Sequence, residues 1–153
     1  MDTKEAYQKL SLMCSRKEYC SFDMRKKMQL WKLTESQEQS IIDRLFEERY
    51  LSEERFTEAF VKDKFRFNKW GKQKIKFQLK QKQIPEEAIE LALEQISEED
   101  YIETMQELIA SKVKSVKAKT EYERNGKLIR FMVQRGYGIS EVNTILEQMK
   151  SDE

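Results

Sequence analysis

The stretch MRKKMQLWKLTESQEQSIIDRL, residues 24–45, decides the fold because its apolar pattern occurs three times in the chain. Six positions define the pattern: Met24, Met28, Leu33, Ile41, Ile42 and Leu45. A shift of 51 residues leads to Ile75, Leu79, Ile84, Ala92, Leu93 and Ile96, and a further shift of 53 leads to Leu128, Met132, Tyr137, Ile145, Leu146 and Met149. Every position stays apolar, and such self-similarity at a nearly fixed period indicates a repeat protein.

Each repeat is predicted to contain three helices. Strand-like alternation of β-branched residues is missing, and Tyr7, Phe56 and Tyr101 each open a further helix upstream of a template copy. The predicted helices span 3–17, 21–32, 34–48, 52–68, 72–82, 85–95, 98–117, 126–135 and 139–150. The fold class is therefore all-α, with three tandem three-helix repeats stacked into an elongated, curved rod.

The expected domains are repeat 1 at 1–50, repeat 2 at 51–96 and repeat 3 at 97–153. Repeat 3 needs a longer first helix or an inserted loop near 119–125, because Tyr101 to Leu128 spans 27 positions against 19 from Phe56 to Ile75. Helix starts are indicated by a capping box at Thr34.

The composition excludes most kinds of active site. The 153 residues include no histidine, so neither a His-dependent triad nor a His-rich zinc site is possible. Cys14 and Cys20 lack metal-site spacing and are expected to be small buried or half-buried apolar residues. We therefore expect a protein that is not an enzyme and has no cofactor or metal. The charged N-terminal residues predict neither a leader nor a membrane span, which favours a cytoplasmic protein. We also expect it to be a monomer.

The net charge is only +1, but the charges are segregated along the chain. Residues 62–82 carry nine basic side chains and one acid, whereas residues 86–107 carry nine acids and no base. The centre of the basic segment, RFNKWGKQKIKFQL at 66–79, is not a phosphate loop, because Arg66 stands where the motif requires its first glycine and Gln73 follows Lys72. A solvated helix face and a binding surface for an anionic or mixed partner both remain open interpretations.

Aromatic residues of the middle repeat are assigned by helical position. Phe60 and Phe67 lie within about 40° of Phe56, which predicts three core residues. Phe65 lies on the opposite side and either packs on a neighbouring repeat or docks a partner. Phe77, among lysines, could cover a neighbour or stack on a base. We expect Trp70 to fill the corner between two helices.

The middle and third repeats together resemble the RecX family of regulatory proteins. The middle repeat resembles the central signature of that family at Arg55, Phe56, Ala59, Phe60, Val61, Lys64, Lys69, Gly71, Ile75, Leu79, Lys82 and Ile84. The third repeat resembles its C-terminal repeat at Lys127, Leu128, Arg130, Phe131, Arg135, Gly136, Tyr137, Ile145 and Leu146. One departure is Gln83, which stands where the family often has glycine and where a left-handed turn is expected.

The resemblance implies a non-enzymatic modulator of the RecA recombinase. Such a protein lies along the RecA filament on single-stranded DNA and restrains ATP hydrolysis, strand exchange and co-protease activity. The residues expected to contact the filament or DNA are Arg66, Lys69, Lys72, Lys74, Lys76, Lys80, Lys127 and Arg130, with Phe65 and Phe77 as docking aromatics. The alternative is a direct DNA-binding protein whose three-helix units act like helix-turn-helix readers.

Overall fold

The computed structural model of the protein describes residues 1–152 and contains nine α-helices in that range. They are α1 (Thr3–Arg16), α2 (Ser21–Leu30), α3 (Glu35–Glu47), α4 (Glu53–Arg66), α5 (Lys72–Gln81), α6 (Glu86–Leu93), α7 (Glu98–Val113), α8 (Glu121–Gln134) and α9 (Ile139–Ser151). No strand occurs among these residues, so the predicted all-α fold of three-helix repeats is confirmed. In the same range no helix combines the length and the apolar character needed to cross a membrane.

The helices belong to two compact units that do not coincide with the repeats. Unit 1 contains residues 1–60 and 79–89, and unit 2 contains residues 61–78 and those from 90 onward. The N-terminal half of α4 and the C-terminal end of α5 therefore belong to unit 1, while the remaining parts of both helices belong to unit 2.

The repeated apolar template forms much of the protein interior. Fourteen of its eighteen positions are buried, and the four half-buried exceptions are Leu33, Ile96, Leu146 and Met149. Because the template combines spacings of three and four residues, its members fall on one side of each helix. The periodicity of the sequence therefore predicted the buried side of the second and third helices.

The turn between the second and third helices has the same geometry in all three repeats. Its central residue adopts a left-handed backbone, with φ of 59° at Lys32, 63° at Gln83 and 101° at Gly136. The amide three residues beyond the last helical residue then donates to a carbonyl of the last turn, in the pairs Leu33 N–Met28 O (3.2 Å), Ile84 N–Leu79 O (3.1 Å) and Tyr137 N–Met132 O (3.1 Å). This Schellman motif satisfies carbonyls that the helix end would otherwise leave open.

Helix starts follow the predicted capping signals. The side chains of Thr34 and Gln37 form the reciprocal capping box, with distances of 2.9 and 3.2 Å. Repeat 3 differs from the prediction, because α7 ends at Val113 and α8 begins at Glu121 rather than at residue 126. The earlier start has a local cause: Thr120 Oγ1 accepts a hydrogen bond of 3.1 Å from the amide of Glu123.

Unit 1 has a continuous apolar core with both cysteines inside the fold. Its buried cluster consists of Ala6, Leu10, Cys14, Met24, Met28, Ile41, Ile42, Leu45 and Leu51. Burial raises the pKa of Cys14 to about 11 and that of Cys20, which is also buried, to about 12. Both thiols therefore stay protonated at neutral pH, as expected for small core residues.

Two polar contacts connect the helices of unit 1. The carboxylate of Glu53 accepts hydrogen bonds from the amide (2.9 Å) and hydroxyl (3.2 Å) of Ser21, so the start of α4 caps the start of α2. Lys82 Nζ lies 2.6 Å from the Asp23 carboxylate, and both side chains are largely shielded from water. Hydrogen bonds thus satisfy the Glu53 carboxylate, while Lys82 and Asp23 form an ion pair.

Unit 2 is organised around two buried tyrosines. The rings of Tyr101 in α7 and Tyr137 in the α8–α9 turn have centroids 5.2 Å apart, and Phe65 of α4 stacks on Tyr101 at 5.9 Å. Burial raises the pKa of Tyr101 to about 12 and also raises the pKa of Tyr137. The three rings join α4, α7 and the α8–α9 turn in one core.

A close backbone contact brings the α4–α5 turn against the α8–α9 turn. The Gly71 amide donates to Arg135 O at 2.7 Å, and the Gln73 amide donates to Gly136 O at 3.0 Å. A methyl group on Gly71 would lie 2.3 Å from Gly136 O, so only glycine permits this approach.

Phe67 is exposed, and the prediction that it belongs to the core is wrong. The side chain is 81% exposed, whereas Val61 and Phe65, on the opposite side of the wheel from Phe56, are buried. The helical wheel fails at this position because α4 ends at Arg66, one residue before Phe67.

Replacing Gln83 with glycine should stabilise the protein by about 1 kcal/mol, because glycine adopts the left-handed backbone without the clash of a Cβ atom. Gln81, also exposed but at the C-terminal end of α5, provides the matched control. The change Gln81→Gly should lower the free energy of unfolding by about 0.5–1 kcal/mol. Urea denaturation measures both, and a loss of stability in Gln83→Gly would contradict the role of the left-handed turn.

Gly71→Ala should lower the free energy of unfolding by about 2–4 kcal/mol, because the new methyl group separates two hydrogen-bonded turns. Gly126 is the matched control, since a methyl group there would meet nothing within 4 Å in the middle of α8. Gly126→Ala should therefore stabilise by about 0.5–1 kcal/mol through helix propensity. Equal effects of the two substitutions, measured by urea denaturation, would be inconsistent with a close turn contact.

Stability should fall as the pH rises above about 9, because unfolding returns the buried thiols and phenols to ordinary pKa values near 8.5 and 10. Between the unfolded and folded pKa values the folded state binds more protons, so each group lowers the free energy of unfolding by up to about 1.4 kcal/mol per pH unit. Urea titrations between pH 8 and 11 measure this slope. The slope should be shallower in Tyr101→Phe, and an identical slope would argue against burial of that phenol.

Candidate functional site

Side chains of unit 2 hold the backbone of the basic α4–α5 turn at three points. Tyr137 Oη donates to Lys69 O at 2.9 Å, and the Lys72 amide donates to Tyr101 Oη at 3.0 Å. A guanidinium nitrogen of Arg135 donates to Asn68 O at 3.2 Å. These bonds, added to the close glycine contact, fix the direction in which the turn presents its cations.

The amides of the first two residues of α5, and that of Gly71 just before the helix, are already used inside the fold. The amides of Gly71, Lys72 and Gln73 donate to Arg135 O, Tyr101 Oη and Gly136 O, respectively. A helix N-terminus binds phosphate through free amides, so this one is not a phosphate cradle.

Cations gather around the indole of Trp70. Lys64 Nζ lies 4.9 Å and Lys74 Nζ 4.6 Å from the ring centroid, which brings α4 and α5 together at the ring. The indole is half-buried, in agreement with its predicted corner position. We define the turn surface as the cations Lys64, Arg66, Lys69, Lys74 and Arg135 together with Phe67 and Trp70.

The turn surface combines positive charge with an exposed aromatic ring. Residues 64–74 contain no acid, and Arg66 is exposed without an ion-pair partner among residues 1–152. Lys69 lies in a left-handed backbone, with φ of 57°, at the tip of the turn. Attraction of this surface to phosphate or carboxylate is electrostatic, and nothing in it encodes a particular base.

The other predicted lysines of α5 lie along a different side of the helix. Helical spacing places Lys72, Lys76 and Lys80 in one row. Lys72 and Lys76 each lie about 160° around the helix from Lys74. Lys72 Nζ lies 4.7 Å from the centroid of the Tyr101 ring. In unit 2, Lys76 Nζ is 2.6 Å from Glu90, and in unit 1, Lys80 Nζ is 3.9 Å from Glu86. The acids of α6 therefore reduce the charge that this row presents to a partner.

Lys127 and Arg130 extend the basic character along α8. Lys127 Nζ donates to Lys117 O at 2.6 Å and lies 3.6 Å from Glu123, so it secures the α7–α8 loop. Arg130 is exposed. Of the two, Arg130 has the side chain better suited to contact a partner.

The two candidate docking aromatics differ in exposure. Phe65 is only 8% exposed and stacks on Tyr101 of the next repeat inside unit 2. Of the two alternatives for this ring, it therefore packs on a neighbouring repeat and does not dock a partner. Phe77 is 57% exposed and points away from the buried side of α5. Phe67, which the helical wheel placed in the core, takes the exposed position expected of a docking ring.

Sequence reasoning omitted Lys64 and Arg135 from the candidate site. Both occur in the quoted family signature, so the signal was present, but Arg135 is separated from Asn68 by 67 residues and its contact depends on the tertiary fold. Among residues 1–152, no group of three His, Cys, Asp or Glu side chains is arranged to hold a metal ion.

Comparisons with known proteins identify the repeats. Residues 52–93 match a model described as RecX, second three-helix domain, and residues 98–146 match RecX, third three-helix domain. The curated Regulatory protein RecX of Clostridium botulinum (strain Eklund 17B / Type B) is 33% identical over 70% of this chain and 50% of its own length. The chain thus spans about half the length of the first curated relatives it matches.

Solved structures support the same fold. The crystal structure of regulatory protein RecX is similar with a TM-score of 0.84 at 21% identity, covering 95% of this chain and 71% of that one. The structure of RecX from Lactobacillus salivarius also has a TM-score of 0.84, at 16% identity, covering 97% and 96%. The two domain matches together cover more than half of the sequence, and the chain therefore belongs to the RecX family.

Proposed function

We propose that this chain is a non-enzymatic regulator that binds the RecA filament on single-stranded DNA. It restrains ATP hydrolysis, strand exchange and co-protease activity, and so acts in recombinational repair and the SOS response. Family membership supports the recombinase as the partner, since the matched relatives carry the name Regulatory protein RecX. The proposed protein works in the cytoplasm as a monomer, without a cofactor, and uses repeats at 1–50, 51–96 and 97–153.

The turn surface is the observation that supports a contact role. Its cations belong to a turn whose backbone is fixed by Tyr101, Tyr137 and Arg135. A fixed turn loses little conformational entropy on binding, so more of the electrostatic attraction appears as affinity. The proposed contacts are DNA phosphates or acidic side chains of the recombinase, with Arg66, Lys69 and Lys74 as the central residues.

Direct DNA binding is the alternative function, and one observation favours it. Phe67 is 81% exposed and follows Arg66 in the turn surface. An aromatic ring beside cations is the arrangement by which proteins stack on bases of single-stranded nucleic acid. Under this alternative, the chain binds DNA tightly in the absence of RecA, with a steep dependence on salt.

The double change Arg66→Glu with Lys74→Glu should raise the concentration needed for half-inhibition of DNA-stimulated ATP hydrolysis by RecA by about tenfold or more, which corresponds to about 1.4 kcal/mol. Lys4→Glu with Lys119→Glu is the control, because it changes the net charge equally at exposed positions outside the turn surface. The control should inhibit like the original chain.

Binding to single-stranded DNA without RecA, measured by fluorescence anisotropy at several salt concentrations, separates the two functions. Weak binding by the original chain together with selective loss of inhibition in the turn-surface variant supports the filament contact. Equal inhibition by the two double variants would place the contact face elsewhere. Circular dichroism checks that both variants remain helical.

A further inference from the structure

An ion pair joins the second helix of repeat 1 to the turn that follows the second helix of repeat 2. Its members are Asp23, the third residue of α2, and Lys82, the residue directly after α5. Their charged atoms lie 2.6 Å apart, and both side chains are largely shielded from water. In unit 1 the carboxylate of Asp23 therefore balances the one cation of this junction.

The equivalent positions in unit 2 are both occupied by cations. A shift of 51 leads from Asp23 to Lys74, the third residue of α5, and a shift of 53 leads from Lys82 to Arg135, the residue directly after α8. The same two shifts relate the apolar templates of the three repeats. At this junction the carboxylate of unit 1 is thus replaced by an ammonium group in unit 2.

The structure brings the two cationic positions to one place. A Cβ atom added to Gly136, which follows Arg135, would lie 2.4 Å from the Cβ atom of Lys74. The Gln73 amide, one residue before Lys74, donates to Gly136 O at 3.0 Å. The start of α5 is therefore in direct contact with the α8–α9 turn, and two positive charges meet where unit 1 has an ion pair.

No carboxylate of the described chain neutralises this junction. Neither Lys74 nor Arg135 forms an ion pair with an acid among residues 1–152. The Glu141 carboxylate, in the first turn of α9, accepts instead from the Gly138 amide at 3.2 Å. Like charges without a counter-ion create a positive potential that favours binding of an anion.

Arg135 is held in place with one side of its guanidinium open. Its Nη1 donates to Asn68 O at 3.2 Å, and its guanidinium carbon lies 4.9 Å from the centroid of the Phe131 ring. Lys112 Nζ lies at the same distance from that ring, which adds a third cation. The Nε and Nη2 atoms of Arg135 make no hydrogen bond within residues 1–152, and neither atom is enclosed by the protein. These two donors match the two oxygens of a carboxylate.

The junction suits a carboxylate better than a phosphate group. Its counterpart in unit 1 holds a carboxylate, that of Asp23. Phosphate is typically bound by free backbone amides, whereas the amides of Gly71 and Gln73 are bonded to the α8–α9 turn. The remaining donors are the side chains of Lys74 and Arg135, which favour a single planar anion.

We propose that Lys74 and Arg135 bind the carboxylate of an aspartate or glutamate from a protein partner, at the place that Asp23 occupies in unit 1. Arg135 donates two parallel hydrogen bonds, and Lys74 supplies the second positive charge. The assignment of the partner rests on the proposed function. It gives these two cations of the turn surface to the protein component of the filament and not to its DNA.

The change Lys74→Asp tests the site from within the chain, because it supplies the carboxylate that unit 2 lacks. It should raise the melting temperature by about 2–4 °C, since the new group pairs with Arg135 as Asp23 pairs with Lys82. Lys4→Asp is the matched control: it makes the same charge change at an exposed position in the first turn of α1. The gain should vanish when Arg135→Gln is also present. A gain no larger than that of the control would overturn the proposal.

Binding is tested by nuclear magnetic resonance on the full chain labelled with ¹⁵N. The probe is the blocked tripeptide acetyl-Gly-Asp-Gly-amide, and its neutral counterpart acetyl-Gly-Asn-Gly-amide is the control. The aspartate peptide should move the Nε–H resonance of Arg135 saturably, in the original chain and in Lys4→Asp but not in Lys74→Asp. No saturable shift would overturn the proposal. Saturation by inorganic phosphate or a short oligothymidylate at a lower concentration than by the peptide would also overturn it, by identifying a phosphate site.

Inhibition of RecA separates this proposal from the proposed function. If Lys74→Asp loses the peptide-induced shift and still inhibits DNA-stimulated ATP hydrolysis normally, the carboxylate site is supported and its assignment to the filament is wrong. If the original chain inhibits RecA but the peptide produces no shift, the regulatory function stands and the carboxylate site is overturned.

Discussion

Two glycines that meet backbone to backbone set the geometry of unit 2. With no Cβ atom on Gly71, the α4–α5 turn approaches the α8–α9 turn closely enough for two amide–carbonyl bonds to form. Tyr101 and Tyr137 then reach the backbone on either side of the same turn. The position of the turn surface therefore depends on residues far from it in sequence, and its cations require no contact with one another to be held in place.

The fold also divides a single basic segment into surfaces with different electrostatic properties. Lys76 of α5 lies near Glu90 of α6, so part of the positive charge is balanced by the acidic segment that follows it in sequence. Around Trp70 the cations instead contact an aromatic ring, which attracts them without neutralising them. A near-zero net charge is thus compatible with a local surface that attracts anions.

Features of the fold that depend on residues close together in sequence could be predicted, whereas contacts between distant segments could not. The apolar template depends on local spacing, so the sequence alone predicts it. The left-handed backbone at Gln83 was expected from the glycine that the RecX family often has at this position. Local rules failed at Phe67, where the helix ends one residue too early for the wheel to apply. The contact of Arg135 with Asn68 joins distant segments, and no periodicity in the sequence contains that information.

For the candidate contact residues, the local sequence indicated which side chains are charged but not which groups lie next to them in the fold. The same run of lysines supplied both the row that faces the acids of α6 and the cation at Trp70, because successive residues on a helix point about 100° apart. Distinguishing them required knowing where Glu90 and Trp70 lie. The segregation of charge was therefore predictable, whereas its exposure to a partner was not.

The placement of the cysteines gives the protein an internal reporter of motion. Cys14 and Cys20 are the only thiols of the chain, and both are buried in unit 1. Because a thiol reacts only when it is exposed and deprotonated, the labelling rate of the unaltered chain measures how often unit 1 opens. Comparing that rate before and after a partner binds would show whether binding at unit 2 changes the fluctuations of unit 1, without any engineered label.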